Sequence, residues 1–217
     1  MKTHADRPPR VPVDLHNYPG LQGIMKSFCF LISITILLCL LCFLPPARVS
    51  AQNQEIAWSE FLQGRAVAFL RHATAPGLGD PPGFMIGDCS TQRNLSQEGR
   101  HQTRRIGEFF SKKGIKEASI YSSQWCRCLE TATLLNLGKV NELPSLNSFF
   151  QDSSTEKSQT KEISQFIISL PAGKPAIMVT HQVNITALTG IVPGSGEIVL
   201  FRFNKDKSGE VIGRFKP

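Results

Sequence analysis

An arginine and a histidine stand side by side, as Arg71 and His72, where an apolar run of the chain ends. The apolar run covers residues 66–70, and a segment rich in glycine and proline follows it, which indicates a buried strand that opens into a loop. Ligands of open α/β sheets bind outside the carboxyl ends of such strands. We therefore expect a guanidinium group and an imidazole to face a ligand at this point.

Two further predicted strands lead to residues of the same two types. Arg127 follows the strand predicted over residues 118–122, in the first turn of the next helix, and His181 directly follows the strand over residues 176–180. The carboxyl ends of parallel strands share one edge of a sheet, so two arginines and two histidines should converge there. Arginine side chains bind phosphate oxygens bidentately, and a neutral imidazole can attack phosphorus. This pattern favours a phosphate site with His72 as the nucleophile and His181 beside the transferred group.

The spacing of apolar residues predicts strands that alternate with helices. We expect an α/β fold, a three-layer α/β/α sandwich with a mainly parallel sheet. A long helix should begin after Ser96 as N-cap and end before Gly114. The other predicted elements are helices over residues 53–63, 124–136, 153–170 and 184–189, and strands over residues 65–70, 118–122, 140–146, 176–180, 198–203 and 211–215, the last two as a hairpin-like pair.

The N-terminal part of the chain has the pattern of an export signal. Seventeen uncharged residues, 28–44, follow Lys26, and the small residues before and at Ala51 suit a signal peptidase. We interpret residues 25–51 as a signal peptide, or alternatively as a retained signal anchor. Residues 1–24 are interpreted as a non-native extension of the start or as a disordered tail. Residues 52–217 then form the functional domain.

The charge balance of residues 52–217 limits the kinds of partner. These residues contain 19 Lys and Arg against 15 Asp and Glu, a net charge of +4, with no long basic run. Nucleic-acid binding proteins usually carry a denser basic stripe. The balance favours a small anionic substrate over nucleic acid. We expect a periplasmic or secreted protein, or one anchored in the membrane by its N-terminal segment alone, with the domain outside the cytoplasm.

Three cysteines lie in the predicted domain, at Cys89, Cys126 and Cys128. An exported protein meets an oxidising environment, so a disulfide from Cys89 to Cys126 or to Cys128 is one expectation, and structural thiols are the other. Zinc sites need a different pattern, because no CxxC motif occurs and only three histidines lie in this part of the chain.

Four segments resemble motifs of the histidine phosphatase, or phosphoglycerate-mutase-like, superfamily. Residues 70–73, Leu-Arg-His-Ala, resemble its arginine–histidine–glycine signature, with Ala73 in place of the glycine. Residues 95–102 are similar to its Leu-Thr-x-x-Gly-x-x-Gln helix start, and residues 122–132 to its Ser-Ser-x-x-x-Arg-x-x-x-Thr-Ala segment. Residues 179–181 match its second histidine. The resemblance covers about residues 65–191.

The resemblance implies a role for each of these residues. His72 would be the phosphorylated nucleophile, and Arg71, Arg127 and His181 would form the phosphate pocket. The family pattern implies neither a metal nor an organic cofactor. The expected fold is phosphoglycerate-mutase-like.

The residue that protonates the leaving group is the open point. Gln182 follows His181, so the His-Asp version of the family's proton donor does not occur here. The other version places a glutamate between the second arginine and the second histidine. Asp152 and Glu142 are the nearest candidates, and we favour Asp152 as the catalytic acid. Its rival is Asp88, at the end of the glycine- and proline-rich segment of residues 75–88, which we call the Gly/Pro loop.

Arg93 lies where the Gly/Pro loop returns toward the predicted site. It is either a third arginine that binds the substrate or a surface charge at the entrance of the long helix. Gln182 and Asn184 either line the pocket or cap the short helix after His181.

The expected function is hydrolysis of phosphate monoesters through a phosphohistidine on His72. The substrate would be a small anionic phosphate ester or a phosphoprotein. A mutase is less favoured, because the chain is short and lacks the long insertions that would retain a phosphorylated intermediate. The alternative is a non-catalytic envelope module that binds a phosphate ligand on the same fold.

Overall fold

One six-stranded sheet forms the centre of the protein. The computed structural model describes residues 47–204, 206 and 208–217. The strands are β1 Val67–Arg71, β2 Ser119–Ser122, β3 Val140–Glu142, β4 Ala176–Thr180, β5 Ile198–Phe203 and β6 Gly209–Phe215. The helices are α1 Ala47–Leu62, α2 Gln97–Lys112, α3 Cys126–Leu134, α4 Glu156–Ser169 and α5 Gln182–Thr189, with short 3₁₀ turns at Cys89–Thr91, Pro144–Leu146 and Ser153–Thr155.

The strands lie in the order β3-β2-β4-β1-β5-β6. The first four are parallel, while β5 and β6 are antiparallel and form the predicted hairpin at one edge. Arg71 of β1 pairs with Thr180 of β4, and Ser122 of β2 pairs with Val179. The carboxyl ends of β1, β4 and β2 therefore lie side by side, as the sequence predicted for a parallel sheet.

Side chains alternate between the two faces of the sheet and form a core on each. On one face, Ala68 and Leu70 of β1 belong to the cluster that contains apolar side chains of α1, α2 and α3. On the other face, Val67 and Phe69 belong to the cluster that contains Ile163 of α4 and residues of α5. Helices on both faces of a mainly parallel sheet make the three layers, which confirms the predicted fold class.

Helix α2 begins as the sequence predicted and packs closely on the loop after β1. The Ser96 side chain accepts a hydrogen bond from the amide of Gly99, which caps the helix. A Cβ at Gly99 would lie 2.1 Å from the carbonyl oxygen of Thr74. The glycine is therefore required for the close approach of α2 to the backbone that follows His72.

Three predicted elements differ clearly from those in the structure. Helix α1 begins at Ala47, six residues before the helix expected over residues 53–63. The strand expected over residues 140–146 ends at Glu142, and a 3₁₀ turn begins at Pro144, because proline has no N–H to donate to the sheet. The helix expected over residues 153–170 starts only at Glu156, after a separate 3₁₀ turn.

The predicted leader lies outside the described residues, except for residues 47–51 at the start of α1. Within the part of the chain that the structure describes, every helix is too short or too polar to span a bilayer.

Candidate active site

A pocket opens at the carboxyl ends of β1 and β4, beside the first turn of α3. The structure brings together there five of the six residues predicted to bind the substrate or take part in catalysis: Arg71, His72, Arg93, Arg127 and His181. Asp152 does not line this pocket. The other lining residues are Leu78, Gly79, Asp80, Ser148, Phe150, Gln151, Gln182 and Val183.

The end of β1 positions Arg71 and His72 on the sheet. The His72 amide donates to the carbonyl oxygen of Thr180 on β4 over 3.0 Å, which extends the parallel ladder by one residue. Arg71 donates from Nη1 to the carbonyl oxygen of Pro193 over 2.8 Å. Its Nε is buried and has no hydrogen-bond partner among the described residues. A buried N–H without a partner is costly, so this donor suits an anionic ligand.

The ring of His72 is fixed in one orientation. Its Nδ1 lies 2.9 Å from the carbonyl oxygen of Ala73, which can only accept, so Nδ1 carries the proton and Nε2 keeps its lone pair. The residue is 3% exposed, and burial together with the charges of three arginines lowers its pKa to about 3. The imidazole is therefore neutral near pH 7, and its Nε2 is able to act as a nucleophile.

His181 lies across the pocket, with its ring centroid 5.5 Å from that of His72. Its Nε2 is 2.9 Å from Oγ of Ser123, and its Nδ1 is 3.4 Å from Nη2 of Arg127. The guanidinium can only donate, so Nδ1 is the acceptor and Nε2 carries the proton. Burial, the neighbouring His72 and the arginines hold the pKa of His181 well below its usual value.

Sequence reasoning missed the residues that hold His181 in place. Ser123 donates from Oγ to Oδ1 of Asn147 over 3.2 Å, so it accepts from the histidine with its free lone pairs. Oδ1 of Asn147 also accepts a hydrogen bond from the Gln124 amide. The backbone carbonyl oxygen of Asn147 accepts one from Nδ2 of the buried Asn184. Asn184 therefore supports Asn147 without lining the pocket itself, whereas Gln182 lines the pocket.

Arg127 is held by a carboxylate that the sequence did not single out. Its Nη1 and Nη2 donate to Oδ1 and Oδ2 of Asp80 over 2.8 and 3.0 Å, and both side chains are 3% exposed. Trp125 and the Arg93 amide complete the carboxylate's hydrogen bonds. Nε of Arg127 remains buried without a partner among the described residues. The sequence offered no signal, because Asp80 is one of two aspartates in an irregular loop.

The Asp80 carboxyl is ionised in this setting. Burial acts to raise its pKa, but the hydrogen bonds from Arg127, the Arg93 amide and Trp125 outweigh burial and hold the pKa below its usual value. A carboxylate that accepts so many hydrogen bonds is a poor proton donor. Asp80 therefore positions Arg127 and offsets part of its charge.

Arg93 lines the pocket, whereas its predicted role in binding the substrate stays a prediction. It donates from Nε to the carbonyl oxygen of Gly79 over 2.7 Å and from Nη1 to that of Ala75. These bonds hold the Gly/Pro loop against the site. Burial, followed by the charge of Arg127, lowers the pKa of Arg93, yet the group stays a cation because its usual pKa is so high.

A disulfide joins Cys89 to Cys126 and ties the Gly/Pro loop to the start of α3. Of the alternatives that the sequence left open, the structure therefore has the first pairing. Gln92 strengthens the same junction by accepting from the Cys126 amide over 2.9 Å. The loop that carries Asp80 and the helix that carries Arg127 are thus covalently linked. Cys128 is a buried free thiol, and burial raises its pKa to about 12.

The three carboxylates predicted as proton donors lie away from the pocket. Asp152 is exposed and caps the 3₁₀ turn Ser153–Thr155, where its side chain accepts from the Ser154 amide. Asp88 caps the turn Cys89–Thr91 in the same way. Glu142 accepts from Gln124 at the edge of the sheet. The prediction of Asp152 as the catalytic acid is corrected, because a polar cap faces solvent and not the site.

The side chains of the pocket suit a doubly charged anion. Three guanidinium groups and one carboxylate leave two net positive charges when both imidazoles are neutral. No group of three or more His, Cys, Asp or Glu in the described part of the chain could hold a metal ion. The unpaired donors and the net charge together fit the dianion of a phosphate monoester.

Comparisons with known proteins agree with this chemistry. Residues 67–149 match the model of the histidine phosphatase superfamily (branch 1), a range that includes Arg71, His72 and Arg127. The protein has the histidine phosphatase fold. The match over residues 67–149 and the fold are what the chain shares with that superfamily.

Several solved structures share this fold at low sequence identity. The protein histidine phosphatase SixA complexed with tungstate has a TM-score of 0.51 at 14% identity, over 70% of this chain and 97% of that one. A mycobacterial glucosyl-3-phosphoglycerate phosphatase with VO3 has a TM-score of 0.51 at 16% identity, over 68% and 96%. A structure described as mycobacterial hydrolase 1 has a TM-score of 0.51 at 14% identity, over 68% and 96%. A search of curated protein sequences finds no match.

Proposed function

We propose that the protein hydrolyses phosphate monoesters through a phosphohistidine on His72 and that it does so outside the cytoplasm. The neutral, oriented imidazole of His72 beside three arginines is the observation that carries the proposal. A nucleophile of the protein divides the displacement into two easier steps.

In the first step, Nε2 of His72 attacks phosphorus, and the bond from phosphorus to the ester oxygen breaks. Arg71, Arg93 and Arg127 stabilise the charge on the phosphoryl oxygens, the role that fixed cations play in phosphoryl transfer. The leaving oxygen takes its proton from water, since Asp80, the carboxyl group that lines the pocket, is ionised. Water then attacks phosphorus, the N–P bond breaks and inorganic phosphate leaves.

Location outside the cytoplasm is supported by two independent features. The disulfide between Cys89 and Cys126 suits an oxidising compartment, because cytosolic proteins rarely keep such bonds. The uncharged run of residues 28–44 after Lys26 has the composition of an export signal.

The His72→Ala variant tests the chemistry directly. We expect kcat/KM for an aryl phosphate to fall by at least about 10³-fold, because the variant lacks the attacking atom. In the wild-type protein, mass spectrometry after a rapid quench should find a phosphoryl group on the peptide that contains His72.

The control is His101→Ala, which removes an exposed histidine from α2 and should leave the rate unchanged. Equal rates of aryl phosphate hydrolysis for wild type and His72→Ala would refute the proposed catalysis by His72. Binding of tungstate without any turnover would instead support the phosphate-binding module.

A further inference from the structure

Apolar side chains surround the mouth of the phosphate pocket. Leu78 is 86% exposed, Phe150 is 54% exposed and Val183 is partly exposed, and all three line the pocket. We call these three residues the apolar lip. Large apolar side chains that remain exposed beside a polar site commonly mark a binding surface. Phe149, the neighbour of Phe150, is buried in contrast, so the chain directs one ring into the protein and the other to the mouth.

The apolar lip is joined to the wall of the phosphate pocket. A Cβ at Gly79 would lie 3.9 Å from Cε1 of Phe150, so the ring lies against the backbone next to Leu78. Gln151 donates from Nε2 to the carbonyl oxygen of Asp80 over 3.4 Å. The loop that carries Leu78 and the segment that carries Phe150 therefore meet beside the anion site, where the organic part of an ester would emerge.

The charges of the pocket are balanced by the phosphoryl group alone. Two net positive charges match a phosphoryl dianion. The other polar side chains among the described lining residues are neutral: His72, His181, Ser148, Gln151 and Gln182. A second charge on the substrate would find no partner among these residues. The organic part of the substrate should therefore be uncharged.

We infer that the apolar lip binds the leaving group and that the substrate is a phosphate monoester with an uncharged, apolar group next to the phosphate. This inference rests on the proposed function and names its substrate class. The contact area is provided by Leu78, Phe150 and Val183, while Arg71, Arg93 and Arg127 bind the phosphoryl group. The lip contributes to affinity in proportion to the apolar surface that it removes from water.

Binding of n-alkylphosphonates, from methyl to hexyl, tests the lip without requiring turnover. All members carry the same head group, so chain length alone changes along the series. We expect Kd, measured by calorimetry, to fall roughly twofold for each added methylene, about half the effect of complete burial, because the lip covers one side of the chain.

Matched variants separate the lip from the phosphate pocket. In the double variant Leu78→Ala/Phe150→Ala the dependence on chain length should disappear, whereas Kd for methylphosphonate should stay within about twofold of the wild-type value. Ile168→Ala removes from α4 an apolar side chain about as exposed as Phe150 and should leave the dependence unchanged. A wild-type Kd that is independent of chain length, or a dependence that survives in the double variant, overturns the inference.

Turnover then identifies the source of the ester. Faster hydrolysis of hexyl phosphate than of glycerol 3-phosphate supports a soluble apolar ester, and hydrolysis confined to phosphatidate in vesicles supports a lipid phosphate. Faster hydrolysis of glycerol 3-phosphate than of either hexyl phosphate or phosphatidate overturns the inference that the apolar lip binds the leaving group. If no ester is hydrolysed while phosphonate binding still depends on chain length, the proposed catalysis fails and the lip stands as a binding site.

Discussion

His72 owes its neutral state to its surroundings in the folded protein. The side chain is buried among Arg71, Arg93 and Arg127, and burial is the largest cause of its low pKa. The unfolded chain exposes the same imidazole to water, where its pKa is near 6.5. The unfolded state therefore binds a proton that the folded state does not bind between about pH 3 and pH 6.5. The contribution of His72 to the free energy of unfolding therefore falls as the pH falls through this range.

The variant His72→Asn should remove part of this pH dependence. From pH 7 to pH 5, His72 lowers the free energy of unfolding of the wild-type protein by about 2 kcal/mol, a loss that the variant avoids. Urea unfolding at the two pH values measures the difference. His101→Asn, at an exposed position, should behave like the wild type. An equal loss of stability for His72→Asn and wild type would show that His72 is protonated in the folded protein.

The Gly/Pro loop and helix α3 build one wall of the site together. Asp80 reaches the pocket from the loop, Arg93 from the residues between the loop and α2, and Arg127 from the first turn of α3. The loop contains no regular strand or helix apart from one 3₁₀ turn, so its position depends on side-chain hydrogen bonds and on the Cys89–Cys126 disulfide. The disulfide limits the conformations of the unfolded chain over a sequence separation of 37 residues.

The double variant Cys89→Ser/Cys126→Ser should be less stable than wild type by about 4 kcal/mol, because a loop of this length gains that much conformational entropy when it is no longer closed. Chemical denaturation under non-reducing conditions measures the loss. A reducing agent should lower the unfolding midpoint of the wild type and leave that of the double variant unchanged. The same wild-type midpoint with and without the reducing agent would contradict a stabilising disulfide.

At the scale of the whole molecule, three features are consistent with the proposed location outside the cytoplasm. They are the uncharged run of residues 28–44, the disulfide and the mild positive charge. A disulfide-bonded domain with a net charge of +4 over residues 52–217 suits an anionic substrate in an oxidising compartment. The proposed export would also explain why a bond between Cys89 and Cys126 persists beside the site.

Mass spectrometry of the protein from the cell envelope should find Gln52 as its first residue. The physical reason is that a signal peptidase requires small residues before the cut, which Ala51 and its neighbours supply. Ala51→Lys should block processing and leave the protein in the membrane fraction, whereas Asn53→Gln, after the cut, should be processed normally. A first residue within residues 1–51 in the wild-type protein would favour the retained anchor.

The sequence by itself determined the order of most strands and helices and the convergence of four side chains at one sheet edge. Apolar runs that end in polar residues specify buried strands, and parallel strands place their carboxyl ends at one edge. For this reason Arg71, His72, Arg127 and His181 could be assigned to one pocket. Their catalytic roles stay a prediction.

Only the tertiary structure decided what supports these four side chains. Asp80 and Asp152 both lie in polar loops, and local sequence does not tell which loop folds over the sheet edge and which caps a turn at the surface. Asp80 reaches Arg127 across 47 residues and Ser123 reaches His181 across 58. Such contacts depend on how loops pack against the finished sheet. Strands and helices can be predicted because their patterns depend on residues close together in the sequence. Loop packing depends on the whole fold.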